Sequence, residues 1–352
     1  MDDLINIAKL VYTKRLNFLM GAGASAPAIP TLGMLKNELE SNKNVNKIDD
    51  MNDDMNEELL KRVSLVSKEL IATLDDDNNN QTEYRKMVRE NLEAYIDFIR
   101  AIVKILEQSN SRESPKSINI FTTNYDLFIE RAIDDISFES HIVFNDGTRG
   151  YFRKILDDSN FNRMESYKGI TDNYINEIPS ITLIKPHGSV NWKKVDGDLI
   201  QVKPCVLKTN EMIVVPPDHH ESEHTFLNNH FHDMLRVFQL ELDKPQSILM
   251  VIGFSFGDDH IARMVRRALD NPELLVICFC YSSNDKSNYL RNLKFNKEPH
   301  NLLILTPEMF AKAKSVQTHG EDAGNSNKEK LEHFTLANLT EFLEGKVEID
   351  GN

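Results

Sequence analysis

Gly21, Ala22, Gly23 and Ser25 belong to the tract Gly21-Ala22-Gly23-Ala24-Ser25, which directly follows the apolar run Leu16-Asn17-Phe18-Leu19-Met20. The run reads as a buried strand entering a glycine turn, with a helix-like stretch from about Leu32 to Glu40 beyond it. Glycines let a backbone approach a pyrophosphate, and the N–H groups at a helix start favour an anion. The third glycine of the dinucleotide fingerprint is replaced by Ala26, so this tract alone is an incomplete signature. Two later segments extend it. Thr122-Thr123-Asn124-Tyr125-Asp126 follows the apolar run at 118–121, and Lys185-Pro186-His187-Gly188-Ser189 follows the one at 181–184. Each places reactive side chains past the carboxyl end of a strand, where open α/β sheets bind ligands.

The elements that must position these residues read as follows. Leu4, Ile7, Ala8 and Val11 recur at helical spacing and predict a short N-terminal helix. Residues 43–57 and the Asp-Asp-Asp-Asn-Asn-Asn run at 75–80 read as solvent loops. Helical patterns are expected at about 57–74 and 82–108, the second with an apolar stripe of Leu92, Tyr95, Ile96, Ile99, Ile102, Val103 and Leu106. Lying between sheet strands, the block at about 43–110 reads as a helical insertion that caps a cleft or makes a subunit contact. A helix at 127–136 follows, then a variable region at about 138–180 with no assignment.

Further on, 191–198 reads as a hairpin with an Asp-Gly turn. Short strands are expected at 214–215, 248–253, 274–280 and 302–305, with helices at 224–242 and 258–269. Cys278 and Cys280 would point to one strand face. Strands alternating with helices predict an α/β fold, a Rossmann-like doubly wound parallel sheet. The expected division is a catalytic domain over 1–314, then a polar linker and an amphipathic C-terminal helix over 315–352.

Bulk properties narrow the function. The chain has 352 residues and a formal charge of −14, with 40% hydrophobic residues. Its mean hydropathy is −0.42. This balance disfavours a general grip on nucleic-acid phosphates. No apolar run approaches the roughly 20 residues of a membrane helix, the acidic start lacks a signal-peptide pattern, and a cytoplasmic location is expected. Three cysteines are too few for a disulfide framework or a four-cysteine zinc site. His219, His220 and His224 with Glu221 and Glu223 form a candidate metal cluster, in a polar loop and helix start and without a recognised ligand spacing.

Taken in order, these segments resemble the sirtuin family. Its signature of a Gly-Ala-Gly-x-Ser turn, an Asn-x-Asp after a strand, a His-Gly pair and a Gly-x-Ser strand end is matched by Gly21–Ser25, Asn124-Tyr125-Asp126, His187-Gly188 and Gly253-Phe254-Ser255. Ile29-Pro30 also matches. Thr123 stands where the family usually has glutamine, Thr31 where its deacylases carry aspartate, and the paired Cys-x-x-Cys zinc module is missing. With Gly-Phe-Ser-Phe-Gly-Asp-Asp-His at 253–260, the pattern is similar to the prokaryotic sirtuin-like branch. That branch includes anti-phage effectors that destroy NAD, some encoded beside a HerA-type ATPase, an Argonaute protein or another sensor. The resemblance covers about half the chain.

It implies a sirtuin-like NAD+ site, with NAD+ as substrate and no metal. The nucleotide-binding set would be Gly21, Ala22, Gly23, Ser25, Thr31, Asp126, Gly253, Ser255 and Phe256. Cleaving the nicotinamide–ribose bond requires the leaving group held away from water and a water placed at the anomeric carbon. Asn124 carries a donor and an acceptor suited to a water or ribose hydroxyl. His187 is a natural proton acceptor near neutral pH. Asp126 would meet the carboxamide of nicotinamide or favour the developing cation, and Phe254 and Ser255 would line the adenosine side.

The same residues have purely architectural roles open to them. Asn124 would serve as a helix cap, Asp126 and the acids at 258–259 as first-turn acids, His187 as a core histidine and the glycines as a strand-to-helix turn. The leading expectation is an NAD glycohydrolase in an NAD-depleting defence effector. Its alternatives are a protein deacylase or ADP-ribosyltransferase and a non-catalytic NAD or ADP-ribose sensor. A homo-oligomer is expected, with a sensor or HerA-type ATPase partner. If Gly23 serves only the ligand, Gly23→Val should abolish NAD binding and leave stability unchanged.

Overall fold

The computed structural model describes residues 5–6, 10–42, 48–72, 82–109, 115–167, 177–216, 229–318, 331–345 and 350–351. Seven strands form its central sheet in the order Leu302–Leu305, Leu275–Phe279, Ser247–Ile252, Arg15–Met20, Ser117–Thr122, Ser180–Ile184, Val143–Asn145. Every neighbouring pair is parallel. Leaving aside the outer strand Val143–Asn145, this is the 3-2-1-4-5-6 order of a doubly wound sheet. The α/β expectation therefore holds, and the order reverses between Arg15–Met20 and Ser247–Ile252.

Strands covered on both faces must be apolar along their whole length. Leu16, Phe18 and Met20 face one hydrophobic layer with Ile99 and Ile102. Leu19, of opposite parity, faces the other with Phe238 and Val265. Cys278 and Cys280 both lie buried in that second layer.

The long helix Glu83–Gln108 starts at Thr82, whose hydroxyl accepts the Arg85 N–H. Its stripe is buried against the sheet, with the Phe98 ring edge-on to Phe18 at 5.2 Å. Tyr95 stacks on Phe128, of the helix Phe128–Ser137, at 5.1 Å. The C-terminal helix Leu336–Leu343 docks on the same core. Phe334, just before it, stacks on Phe279 at 4.8 Å, and Phe342 lies 5.6 Å from the same ring. The apolar stripe of Glu83–Gln108 and the apolar face of Leu336–Leu343 are thus covered within the chain.

Several local expectations are corrected. Ile5–Asn6 pairs antiparallel with Asp350–Gly351 instead of starting a helix. The helix Ile48–Ala72 begins nine residues before the expected 57, so only 43–47 of that loop fall outside the described residues. Acid-rich composition marks a loop and also suits the positive end of a helix. Within 138–180 lie Val143–Asn145 of the main sheet and the strands Thr148–Arg149 and Lys154–Leu156 of a second, five-stranded antiparallel sheet. That sheet also holds the expected hairpin, Gly188–Lys194 paired with Ile200–Val202. A helix, Pro307–Thr318, occupies the start of the expected linker, and 319–330 lie outside the described residues. So do 75–80 and the candidate metal cluster at 219–224.

If the C-terminal helix is part of this core, Phe342→Ala should lower the unfolding free energy by about 3–5 kcal/mol. Chemical denaturation measures it, and a loss under about 1 kcal/mol would contradict the docking.

Candidate active site

Four adjacent strands, Ser247–Ile252, Arg15–Met20, Ser117–Thr122 and Ser180–Ile184, deliver their carboxyl ends to one edge of the sheet. The segments leaving those ends begin at Gly253, Gly21, Thr123 and Lys185. All the main sequence motifs therefore meet where the sheet order reverses.

The turn at the centre is tighter than a ligand alone would demand. The Gly21 N–H donates to Ile252 O at 3.0 Å and the Gly23 N–H to Gly253 O at 2.9 Å. A Cβ on Gly21 would stand 2.5 Å from Gly253 O, and one on Gly23 2.8 Å from Gly253 Cα. Gly253 has φ of 65°, and a Cβ there would meet Ala24 N at 2.2 Å. Three glycines let two strand ends touch, so the pyrophosphate is not their only reason for being glycine. The turn continues as a single 3-10 turn, Ala22–Ser25, with no side-chain cap and with Ala22 exposed. The α-helix Leu32–Asn42 starts only later, its first turn held by Thr31, whose hydroxyl accepts the Met34 N–H at 3.4 Å.

Behind the turn lies a buried polar hub. Asn124 donates through Nδ2 to Gly21 O and to Ser25 Oγ, both at 3.1 Å. Because Gly21 O can only accept, Nδ2 must face it, and Asn124 Oδ1 is left without a partner among the described residues. Asn124 thus offers the cleft an acceptor only, and it is not a helix cap, since the next helix is capped at Leu127. Ser25 donates to Asp126 Oδ2 at 2.8 Å and lies 2.9 Å from the Tyr95 hydroxyl. Asp126 Oδ1 accepts the Phe128 N–H at 3.2 Å, the architectural role open to it from sequence. Burial pushes the Asp126 carboxyl up, against the pull of Lys185, the Ser25 hydroxyl and the Phe128 N–H.

Lys185, 3% exposed, fastens this loop to the next. Its Nζ donates to Asp126 O, to Glu130 Oε1 at 2.8 Å and to Ser189 Oγ at 3.1 Å. Burial also raises Glu130, with Lys185 opposing. Val190 N–H donates to Tyr125 O, and Val215 N–H to His187 O. His187 and Asn124 are therefore carried on two loops locked to each other.

His187 is 6% exposed, and its Nε2 lies 3.1 Å from Asp258 Oδ2. The strands bearing these residues are three positions apart, about 14 Å at ordinary strand spacing, so the loops that carry the pair bridge the two strands between them. Asp258 is the partner of His187 to which sequence reading gives only a helix-opening role. Its Oδ1 accepts the N–H groups of His260 and Ile261, the helix-cap role that its position announces. Burial pushes the Asp258 carboxyl up, but the hydrogen bond and charge of His187, with those two N–H groups, outweigh it and hold it below the usual carboxylate range. With Nε2 engaged, His187 Nδ1 is the nitrogen left to take a proton.

The remaining strand-end residues divide. Ser255 is exposed, its carbonyl accepting from Asn292 at 2.8 Å. Phe254 is 7% exposed and its ring packs edge-on to Phe256. Phe256, at φ 58°, turns its ring into the core against Tyr289, which confines it to a backbone role at any ligand. Among the described residues no group of three or more His, Cys, Asp and Glu could hold a metal ion, and no helix is long and apolar enough to cross a membrane.

Two measurements check this geometry. Gly23→Val should lower the melting temperature as well as weaken binding, because its side chain first strikes Gly253; an unchanged melting temperature would refute the contact. Asp258, depressed in the fold, contributes stability present above the unfolded-chain value near pH 4 and lost as pH falls through its folded value. The unfolding free-energy gap between wild type and Asp258→Asn should therefore narrow in acid, and a gap constant from neutral pH to pH 3 would contradict the pairing.

Over residues 118–304, more than half its length, the chain matches the family model described as a SIR2-like domain. No curated protein matches the chain. SIR2-like domains are NAD-dependent enzymes in general, so the match implies NAD use. The matched span includes Asn124, Asp126, His187, Gly253 and Asp258, while the glycine turn and the helix Glu83–Gln108 precede it.

Proposed function

The chain belongs to the SIR2-like family, and we propose that it is an NAD+ glycohydrolase, releasing nicotinamide and ADP-ribose. The Ala22–Ser25 turn, uncapped and exposed at Ala22, is the place for the pyrophosphate. The nicotinamide ribose would lie toward Asn124 and His187. The bond between the ribose anomeric carbon and the pyridinium nitrogen breaks, and its electron pair neutralises that nitrogen. A water oxygen bonds to the anomeric carbon, and the water's proton passes to His187 Nδ1 and then to solvent. NAD+ and water thus give nicotinamide, ADP-ribose and a proton.

The observation that carries this reading is the buried His187–Asp258 pair, whose other ring nitrogen has no partner among the described residues. An aspartate on Nε2 orients the imidazole and stabilises it once protonated. Asn124 Oδ1 is the matching acceptor for the water or a ribose hydroxyl.

The wider role rests on the motif resemblance. The enzyme would be a cytoplasmic, NAD-depleting effector of anti-phage defence, a homo-oligomer held at low activity until a sensor or HerA-type ATPase partner engages it.

Asn124→Ala and His187→Ala should each cut nicotinamide release by about 10²–10⁴-fold, yet still bind NAD+ by calorimetry. Chromatographic quantification of nicotinamide decides it, and a folded His187→Ala variant with wild-type turnover would remove His187 from the chemistry.

A further inference from the structure

The helix Glu83–Gln108 does more than cover the sheet. Two of its residues, Asn91 and Tyr95, stand one helical turn apart and so project from one face. Both reach Ser25. Asn91 Nδ2 donates to Ser25 O at 3.1 Å, and the Tyr95 hydroxyl lies 2.9 Å from Ser25 Oγ. The helix therefore grips the nucleotide turn by its backbone and its side chain together.

Ser25 has one hydroxyl proton, which goes to Asp126 Oδ2. Its oxygen can then only accept, from Asn124 Nδ2 and from Tyr95. Tyr95 is fully buried and stacked face to face on Phe128, 3° from parallel. The ring cannot swing away without opening the core, so the hydroxyl is a fixed donor. Burial pushes its pKa well above the ordinary tyrosine value, and the proton stays on across the physiological range.

We infer that Tyr95 is a positioning residue for the cleavage step: its hydroxyl fixes the Ser25 oxygen, Ser25 fixes the Asn124 amide, and Asn124 Oδ1 is thereby aimed at the water or ribose. The inference rests on the NAD-cleavage reading for its consequence, though not for its geometry. Asn91 holds the turn backbone in the same register. The insertion thus reaches Asn124 through Ser25, and the Tyr95 hydroxyl itself also lies beside the Asn124 side chain.

Tyr95→Phe removes one oxygen and keeps the stacked ring. The turnover number should fall by about three- to tenfold, the scale of one neutral hydrogen bond, with KM changed less than twofold. Phe98→Leu, in the same helix but with no polar reach, should spare turnover at a similar or greater loss of stability. A fall shared equally by both variants would reduce Tyr95 to a packing role. The second readout needs no activity: the Asn124 side-chain amide signals in a nitrogen–proton correlation spectrum, assigned by their loss in Asn124→Ala, should shift in Tyr95→Phe. Unmoved signals would overturn the inference whatever the turnover. If wild type releases no nicotinamide, the NAD-cleavage reading fails, and the amide signals alone decide whether Tyr95 positions Asn124.

Discussion

The contact between Gly21, Gly23 and Gly253 is the constraint on which the site depends. Two strand ends meet there with no room for a Cβ at any of the three positions. The closeness lets the Gly23 N–H reach Gly253 O and brings the two segments together at the point where the sheet order reverses. From this point Gly253 leads to Asp258, and Gly21 leads to Ser25. A spacer between the strand ends would move Asp258 relative to His187 and Ser25 relative to Asn124 at the same time.

The polar groups around this contact are held by burial and by one another. Asp126 and Glu130 are two carboxyls raised by desolvation, and Lys185 is the cation that makes their burial tolerable. Breaking such a buried pair commonly costs about 3–5 kcal/mol, because the remaining charge is left uncompensated. The cost is the reason the loop bearing His187 cannot drift from the loop bearing Asn124. Lys185 is two residues before His187 and donates to the backbone of Asp126, two residues after Asn124. The spacing of His187 from Asn124 is thus set by a buried ion pair, while Tyr95 and Asn91 hold the turn at Ser25.

Much of this was legible because strong physical signals coincide. The inner strands are buried on both faces, so Leu16–Met20, Ile118–Phe121, Ile181–Ile184 and Ile248–Ile252 stand out as apolar runs, each followed by its reactive segment. The stripe on 83–108 likewise announces a buried helix. What stayed hidden lacks a periodic signature. The strands at 148–149 and 154–156 are two and three residues long, too short to alternate visibly. The start of the helix at Ile48 is disguised by acid-rich composition. Asp258 and Tyr95 were hidden by having a sufficient ordinary role, one as a helix cap and the other as a core aromatic. Their second contacts, to His187 and Ser25, cross 71 and 70 residues of sequence respectively, and only the folded chain brings them together.

In the proposed reaction NAD+ lies across the carboxyl edge with its reacting ribose between Asn124 and His187. The structure of the His187→Ala variant bound to NAD+, a form in which turnover is slow, tests it most directly. Pyrophosphate oxygens are expected against the Ala22–Ser25 turn, with the nicotinamide ribose within hydrogen-bonding distance of Asn124 Oδ1. A nucleotide bound elsewhere, or one whose nicotinamide end points away from Asn124, would contradict it.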